Sequence, residues 1–252
     1  MLFRSSTGVD VVLAFVDDSY GRPFMERVRS ELVRLGASSV ATVDFDPLES
    51  DYDQVAEEIL ATRRATIGII GDPEAGPRLI QSLSAQITPE LPTSIWMNDA
   101  MRVPATASAY RRLAGSPILE RMAGVSPRST VPTPAPITPG VQALPDGGRF
   151  FASNAYDCMN VISLAADRAA FINGRDMAEQ VVQLTNGGTQ CASFIACINE
   201  LRNERGIDYD GPSGSLDIGP DGDPTVGMFD VYRFDDRGLD VTAPDPRVTV
   251  DS

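Results

Sequence analysis

Residues 9–20 read VDVVLAFVDDSY. Val11, Val12, Leu13, Ala14, Phe15 and Val16 form an unbroken apolar run, which suits a strand covered on both faces, as in a parallel sheet. The run stops at Asp17-Asp18-Ser19-Tyr20-Gly21. Phe24, Met25, Val28, Leu32 and Leu35 then recur at helical spacing between arginines and glutamates, and Gly36 closes the helix. A strand that turns sharply into a helix is the first half of a βαβ unit. In open α/β sheets ligands bind beyond the carboxyl ends of the strands, where residues 17–20 fall.

The rhythm repeats. Residues 39–45 (SVATVDF) read as a second strand, broken by Asp46-Pro47. Residues 53–63 form a short helix with Val55, Ile59 and Leu60 on one face, capped by Asp51 or Asp53. Residues 65–70 (ATIGII) are a third strand, and Pro73 and Glu74 fit a helix start. Leu79, Ile80 and Leu83 give that helix its inner face. Pro89 and Pro92 bracket a break before a fourth strand at 93–97 (TSIWM), which ends at Asn98-Asp99. This alternation predicts a three-layer αβα arrangement on a mostly parallel, flavodoxin-like sheet with right-handed crossovers.

Beyond residue 99 the pattern decays. Residues 102–112 are expected to be helical. Pro127, Pro132, Pro134, Pro136, Pro139 and Pro145 predict an extended linker or hinge, centred on 129–149. Helices return at 150–172, with Tyr156, Met159, Ile162 and Ala166 as the inner stripe, at 175–184, and at 193–205, with Phe194, Ile198 and Leu201 inward. Cys158 is expected in the core of the first of these. Residues 214–218 (GSLDI) and 226–234 (VGMFDVYRF) read as strands around a turn at 219–224, and Pro244 and Pro246 mark a loose tail. The expected division is an α/β lobe at 9–128, the linker, a helical segment at 150–225, and a strand at 226–235 returning to the lobe.

Composition narrows the function. A chain of 252 residues, 42% hydrophobic, folds as one or two globular domains. A net charge of −14 argues against a nucleic-acid or anionic-membrane surface. No apolar run approaches a membrane span. Asp10 interrupts the first apolar stretch, so the start does not read as a signal peptide. The chain has no histidine, and every basic side chain is arginine. That removes Ser-His-Asp and Cys-His catalysis, His-ligated zinc, Schiff-base lysines and the P-loop lysine. Carboxylate pairs keep acid–base chemistry open, but the expectation is a protein that is not an enzyme and needs no cofactor. Asp217, Asp221 and Asp223 suggest either a calcium loop or a hairpin turn. Pro220 and the glycines occupy would-be ligand positions, which favours the turn.

Three stretches carry a resemblance to a known family, the type I periplasmic-binding-protein superfamily, and within it the branched-chain amino-acid-binding-like solute receptors of ABC transporters. Residues 11–21 resemble that family's strand and DxxYG turn at the start of its second lobe. Residues 154–166, NAYDCMNVISLAA, are similar to its "YAYDA" helix. Residues 208–232, DYDGPSGSLDIGPDGDPTVGMFDVY, look like its Gly- and Asp-rich ending. The resemblance implies a receptor that closes two lobes around a small polar solute, outside the cytoplasm, and is read by a membrane permease. It also implies that most of the first lobe is missing. The helices at 150–205 would then be a remnant whose apolar face is exposed or pairs with a second copy.

The family places a ligand-contacting tyrosine at Tyr20, beside Ser19; the alternative is a turn tyrosine packed on its helix. At Asp99 the family often has a carboxylate that pairs with a ligand's α-ammonium; the alternative is a helix cap. Asp72 lies where branched-chain binders favour an aromatic, which points away from a branched aliphatic ligand. Cys191 and Cys197 bracket ASFIA and read as a small disulfide loop, suited to an oxidising compartment. If residues 192–197 were wholly helical the two would face apart and remain thiols. A regulatory half-domain acting through protein contacts is the alternative function, and an acidic-site enzyme on the same sheet is a third.

Overall fold

The computed structural model describes residues 9–88, 94–127, 151–241 and 248–249. The chain divides into two compact units, one made of residues 1–126 and 230–246, the other of residues 127–229 and 247–252. The proline-rich stretch at 128–149, the break at 89–93 and the tail prolines lie outside the described residues.

The first unit is organised on β1 (Asp10–Val16), in which every residue after Asp10 is buried. Its neighbours are β2 (Ser39–Phe45) on one side and β3 (Thr66–Ile70) on the other, both parallel, with Val11 opposite Val40 and Thr66. β4 (Ser94–Met97) and β5 (Met122–Pro127) extend the sheet in parallel. Of β8 (Met228–Arg233), residues 230–233 fall in this unit and lie beside β5, giving the order β2-β1-β3-β4-β5-β8; the antiparallel pairing of Met228 and Phe229 with β9 (Val248–Thr249) falls in the second unit. The first five strands follow the doubly wound 2-1-3-4-5 order.

Side chains that alternate along β1 enter two different cores. Val12, Ala14 and Val16 pack with Ala56 and Ile59 of α2 (Asp53–Ala61) and with Leu79, Ile80 and Leu83 of α3 (Ala75–Gln86). Val11, Leu13 and Phe15 face Met25, Phe24, Val28 and Leu32 of α1 (Gly21–Arg34). That is the expected three-layer arrangement. The turn after β1 is tight: a Cβ on Gly21 would sit 2.0 Å from the Val16 carbonyl oxygen, so only glycine fits there.

Residues 102–112 break into short pieces: 3-10 turns at Asp99–Arg102 and Pro104–Thr106, then the five-residue α4 (Ala107–Arg111). β5 is absent from the sequence reading. Its Ala123-Gly124-Val125 is a weak apolar run, and Gly124 is there for contact: a Cβ would lie 2.1 Å from the Tyr232 ring.

The second unit is built on α5 (Ala152–Arg168), α6 (Gly174–Leu184), β6 (Thr189–Cys191), α7 (Phe194–Arg202) and β7 (Ile207–Tyr209). β6 and β7 are parallel, with Cys191 opposite Tyr209. Neither strand stands in the sequence reading, because three residues such as TQC or IDY carry no periodicity. Val161, Leu164, Ala165, Leu184, Ile198, Ile207 and Tyr209 form the core with both half-cystines. Asn173 Oδ1 accepts from the amides of Arg175 and Asp176 at 3.1 and 3.0 Å and so caps α6. Ser193 caps α7 through Ala196 N at 3.3 Å.

Three expectations for this unit are corrected. The inner stripe of α5 is Ser153, Asp157, Asn160, Val161, Leu164 and Ala165, while Met159 and Ile162 are 62% and 49% exposed. The apolar period pointed to the wrong face because three polar side chains face inward. Cys158 is an exposed free thiol, not a core residue, for the same reason. Residues 214–218 form no strand, only isolated bridges at Gly211–Gly214 and Ile218–Pro224. Local side-chain bonds take up backbone groups there: Leu216 N donates to Asp210 Oδ1 at 3.2 Å, and Thr225 Oγ1 donates to the Asp217 carbonyl at 3.0 Å. Cys191 and Cys197 do form a disulfide, with Cα atoms 5.4 Å apart. The geometry works because α7 starts only at Phe194, which leaves Cys191 at a strand end.

Candidate functional site

Each of the first four strands is followed within two residues by aspartate, and the structure separates what these aspartates do. After β1, Asp17 pairs with Arg22, and Asp18 Oδ1 accepts from the amides of Tyr20 and Gly21 at 2.9 and 2.7 Å. After β2, Asp46 Oδ1 accepts from Leu48 N at 2.8 Å in a local turn. After β3, Asp72 Oδ1 accepts from Glu74 N and Ala75 N, both at 2.6 Å, and so caps α3. Asp99, after β4, differs. Its Oδ1 accepts from the Tyr20 phenol at 3.3 Å, and among the described residues its other oxygen has no hydrogen-bond partner.

Asn98 is the hub that brings these strand ends together, and the sequence reading passed over it. It is 6% exposed. Its Nδ2 donates to the Gly71 carbonyl and to Tyr20 Oη, each at 3.0 Å, and its Oδ1 accepts from Gly71 N at 3.1 Å. One amide thus ties the end of β4 to the end of β3 and to the turn after β1. Its two donors are both used, as a buried amide requires. The backbone of Asn98 is held as well, because Tyr232 Oη donates to its carbonyl at 2.7 Å. A polar residue at a strand end reads as a turn residue, so no pattern in the sequence marks this role.

Tyr20 stands 43% exposed, with its ring edge-on to Phe24 at 5.7 Å. Tyr20 therefore packs on its helix, as the turn-tyrosine reading expects, and its phenol is also accessible. Partial burial raises its pKa, the Asn98 amide opposes this, and the charge of Asp99 adds to it. The phenol stays protonated at neutral pH and donates to Asp99. Asp99 is also the first residue of its 3-10 turn. Ser19 is exposed beside them in the turn. Asp72 shares the same edge through Gly71, with one oxygen engaged by the helix cap.

Behind this edge Arg102 is clamped. It contacts Asp230 at 3.3 Å, Asp240 at 3.0 Å and Ser126 Oγ at 2.7 Å, and its guanidinium lies 5.3 Å from the Tyr232 ring centroid. A buried cation between two carboxylates and a ring is a rigid support.

The second unit has its own buried carboxylate. Asp157 is fully buried and accepts from Tyr209 Oη at 2.8 Å, from Ser213 N at 2.7 Å and from Ser213 Oγ. Asn160 Nδ2 donates to Tyr209 Oη at 2.8 Å. Burial raises the Asp157 pKa, and the Ser213 and Tyr209 hydrogen bonds oppose this. The NAYD helix and the DYDGPSG stretch are thus joined by one side chain. No cluster of three or more metal-binding side chains occurs among the described residues.

No protein-family model and no curated protein matches the sequence. Solved structures do. A leucine-binding protein from Thermotoga maritima superposes with a TM-score of 0.65 at 15% identity, covering 96% of this chain and 60% of that one. The fold is that of the type I periplasmic binding proteins. A branched-chain amino-acid substrate-binding protein from Streptococcus pneumoniae, in complex with isoleucine, matches at a TM-score of 0.55 and 14% identity over 95% of this chain and 60% of that one. A solute-binding protein of an ABC transporter from R. palustris, in complex with benzoate, gives 0.57 and 12% over 95% and 59%. This chain spans about 60% of the length of these periplasmic-type proteins. All three are binding proteins, and the two complexes hold isoleucine and benzoate.

Proposed function

We propose that this chain is the solute-recognising part of a receptor for an ABC-type importer, outside the cytoplasm, that does no chemistry on its ligand. The observation that carries the reading is the chain Asn98–Tyr20–Asp99 at the carboxyl edge of a parallel sheet, the edge where such sheets bind ligands. Asp99 is held by a protonated phenol, and its other oxygen has no hydrogen-bond partner among the described residues. That suits an ammonium or amide group, so the solute is an amino acid or a small amide. The disulfide fits an oxidising compartment. The closed, loaded form would be read by a membrane permease.

The test is an NMR titration of the 252-residue chain with L-amino acids, small amides and benzoate. One phenol and one carboxylate support affinity on the order of millimolar. Shifts for ammonium-bearing ligands should centre on Tyr20, Asn98 and Asp99 and vanish in Asp99→Asn. Equal shifts from benzoate, or none at these residues, would overturn the assignment.

A further inference from the structure

The chain leaves the first unit after Ser126 and re-enters it at Asp230. One side chain is bonded to both points. Arg102 Nη1 donates to Ser126 Oγ at 2.7 Å and to Asp230 Oδ2 at 3.3 Å, and Arg102 Nε donates to Asp240 Oδ2 at 3.0 Å. The Arg102 and Asp230 side chains are 8% and 13% exposed, and Ser126 is fully buried. A clamp on the two crossings needs a buried cation. It does not need that cation to come from the turn that carries Asp99, yet it does.

Asp99 and Arg102 are the first and last residues of one four-residue 3-10 turn. Positions three apart in such a turn lie on the same side of it. The turn is held at Met101, which is fully buried: a Cβ on Gly71 would lie 3.2 Å from its Sδ, and one on Gly76 2.9 Å from its Cε. The Met101 carbonyl accepts from Thr106 Oγ1 at 3.1 Å and from Tyr110 Oη at 2.8 Å. A turn fixed through both side chain and carbonyl does not rearrange to absorb a change at Asp99. The field at Tyr232 shows that the same charges meet there. Burial raises the pKa of its phenol, Arg102 opposes the rise, and Asp99 and Asp240 add to it. Asp99, Asp230 and Asp240 thus share one guanidinium, and the charge of Asp99 works against the hold of Arg102 on the other two.

We propose that Arg102 is a positioning residue that transmits the charge state of Asp99 to the two points where the chain leaves and re-enters the first unit. Compensating the Asp99 carboxylate removes its repulsion of Asp230 and Asp240, so the clamp tightens on both. The coupling is reciprocal: whatever tightens the crossings favours a cation at Asp99. That the cation is a solute's ammonium rests on the function proposed above; the coupling itself rests on the clamp and the turn.

The test is hydrogen–deuterium exchange on the ligand-free 252-residue chain, read at residues 123–126 and 230–233. Asp99→Asn removes the charge that a bound cation would compensate. It should slow exchange at both points about twofold, the size of an exposed charge's effect. Asp46→Asn, the same change after β2, should leave both points as they are. Arg102→Met should erase the effect of Asp99→Asn, the non-additivity that a shared path requires. A second reading leaves the clamp intact: the Arg102 Nε–H signal in NMR should move and exchange more slowly in Asp99→Asn. Unchanged exchange at either point, slowing that survives Arg102→Met, or an unmoved Arg102 signal would overturn the proposal. No solute enters these measurements, so they stand or fall apart from the binding assignment, which the titration at Tyr20, Asn98 and Asp99 decides.

Discussion

The two units reach order by different routes. The first rests on strands that announce themselves: β1 carries six consecutive buried apolar residues, and its sheet is covered by helices on both faces. The core of the second is built on the β6–β7 pair, three residues in each strand, and a two-stranded sheet is marginal without help. Help comes from a disulfide, from a buried carboxylate that gathers Tyr209 and Ser213, and from the Asn173 and Ser193 caps. A large apolar core tolerates the loss of one contact. A small core pinned by polar anchors does not, because each lost anchor leaves buried donors unpaired.

The largest effect should come from the second unit. Asp157→Ala removes the acceptor for Tyr209 Oη, Ser213 N and Ser213 Oγ, and each unpaired buried donor costs about 1–3 kcal/mol, so a loss of about 3 kcal/mol or more is expected. The single tryptophan, Trp96, lies in β4 and reports on the first unit alone. In urea, the circular-dichroism transition should therefore split and its early part shift, while the Trp96 transition stays put. A common shift of both probes would show that the units do not differ in this way. Titration sharpens the point. Burial raises the Asp157 pKa above its ordinary 3.8, so the native state holds the proton more tightly than the unfolded chain. The stability gained is fully present below about pH 3.8 and is lost as pH rises through the folded value. Between about pH 4 and pH 7, wild-type stability should thus fall relative to Asp157→Asn. Parallel profiles for the two proteins would sink this account.

Next comes the first unit's own polar anchor. Asn98→Ala strands the Gly71 amide and carbonyl and removes the donor to Tyr20, at a cost of about 2–4 kcal/mol read from Trp96 fluorescence. A loss under about 1 kcal/mol would mean that the surrounding sheet holds the strand ends without it.

Asn98 and Asp157 also mark where the sequence stops being legible. β1 to β4 were readable because apolar runs alternate with Asp- and Gly-containing turns. β5 was not, because Gly124 serves the Tyr232 ring and weakens the run. The face of α5 was misplaced because Ser153, Asp157 and Asn160 point inward, and a hydrophobic period counts such residues as surface. At the candidate site, Tyr20 and Asp99 could be named from a resemblance and are in contact. The residue that aligns them, Asn98, is a polar side chain satisfied entirely by tertiary partners, and such partners are visible only once the strands are side by side.

A smaller effect follows from the disulfide. Cys191 and Cys197 are six residues apart, and closing so short a loop removes chain entropy worth about 2 kcal/mol. The Cys191→Ala/Cys197→Ala variant should lose about that much from the circular-dichroism transition and nothing from the Trp96 transition. An unchanged transition would place the unit's stability in its polar network alone.

The smallest effect is the most informative about function, because it compares two aspartates in equivalent sequence positions. Asp72 and Asp99 each follow a buried strand by one intervening residue. Asp72 caps α3 through two amides, so Asp72→Ala should cost about 1 kcal/mol, as lost caps do. Among the described residues Asp99 makes no helix-capping bond; it accepts one long hydrogen bond from a half-exposed phenol. Asp99→Ala should therefore change stability by less than about 0.5 kcal/mol, the range of ordinary surface substitutions, while it abolishes the ligand shifts at Tyr20. Both values come from Trp96-monitored urea transitions of otherwise identical chains. If Asp99→Ala costs as much as Asp72→Ala, then Asp99 is one more structural turn residue, and the case for a ligand carboxylate at this edge falls with it. If it costs nothing in stability and nothing in binding, the free oxygen has no use, and the solute contacts lie elsewhere on the chain.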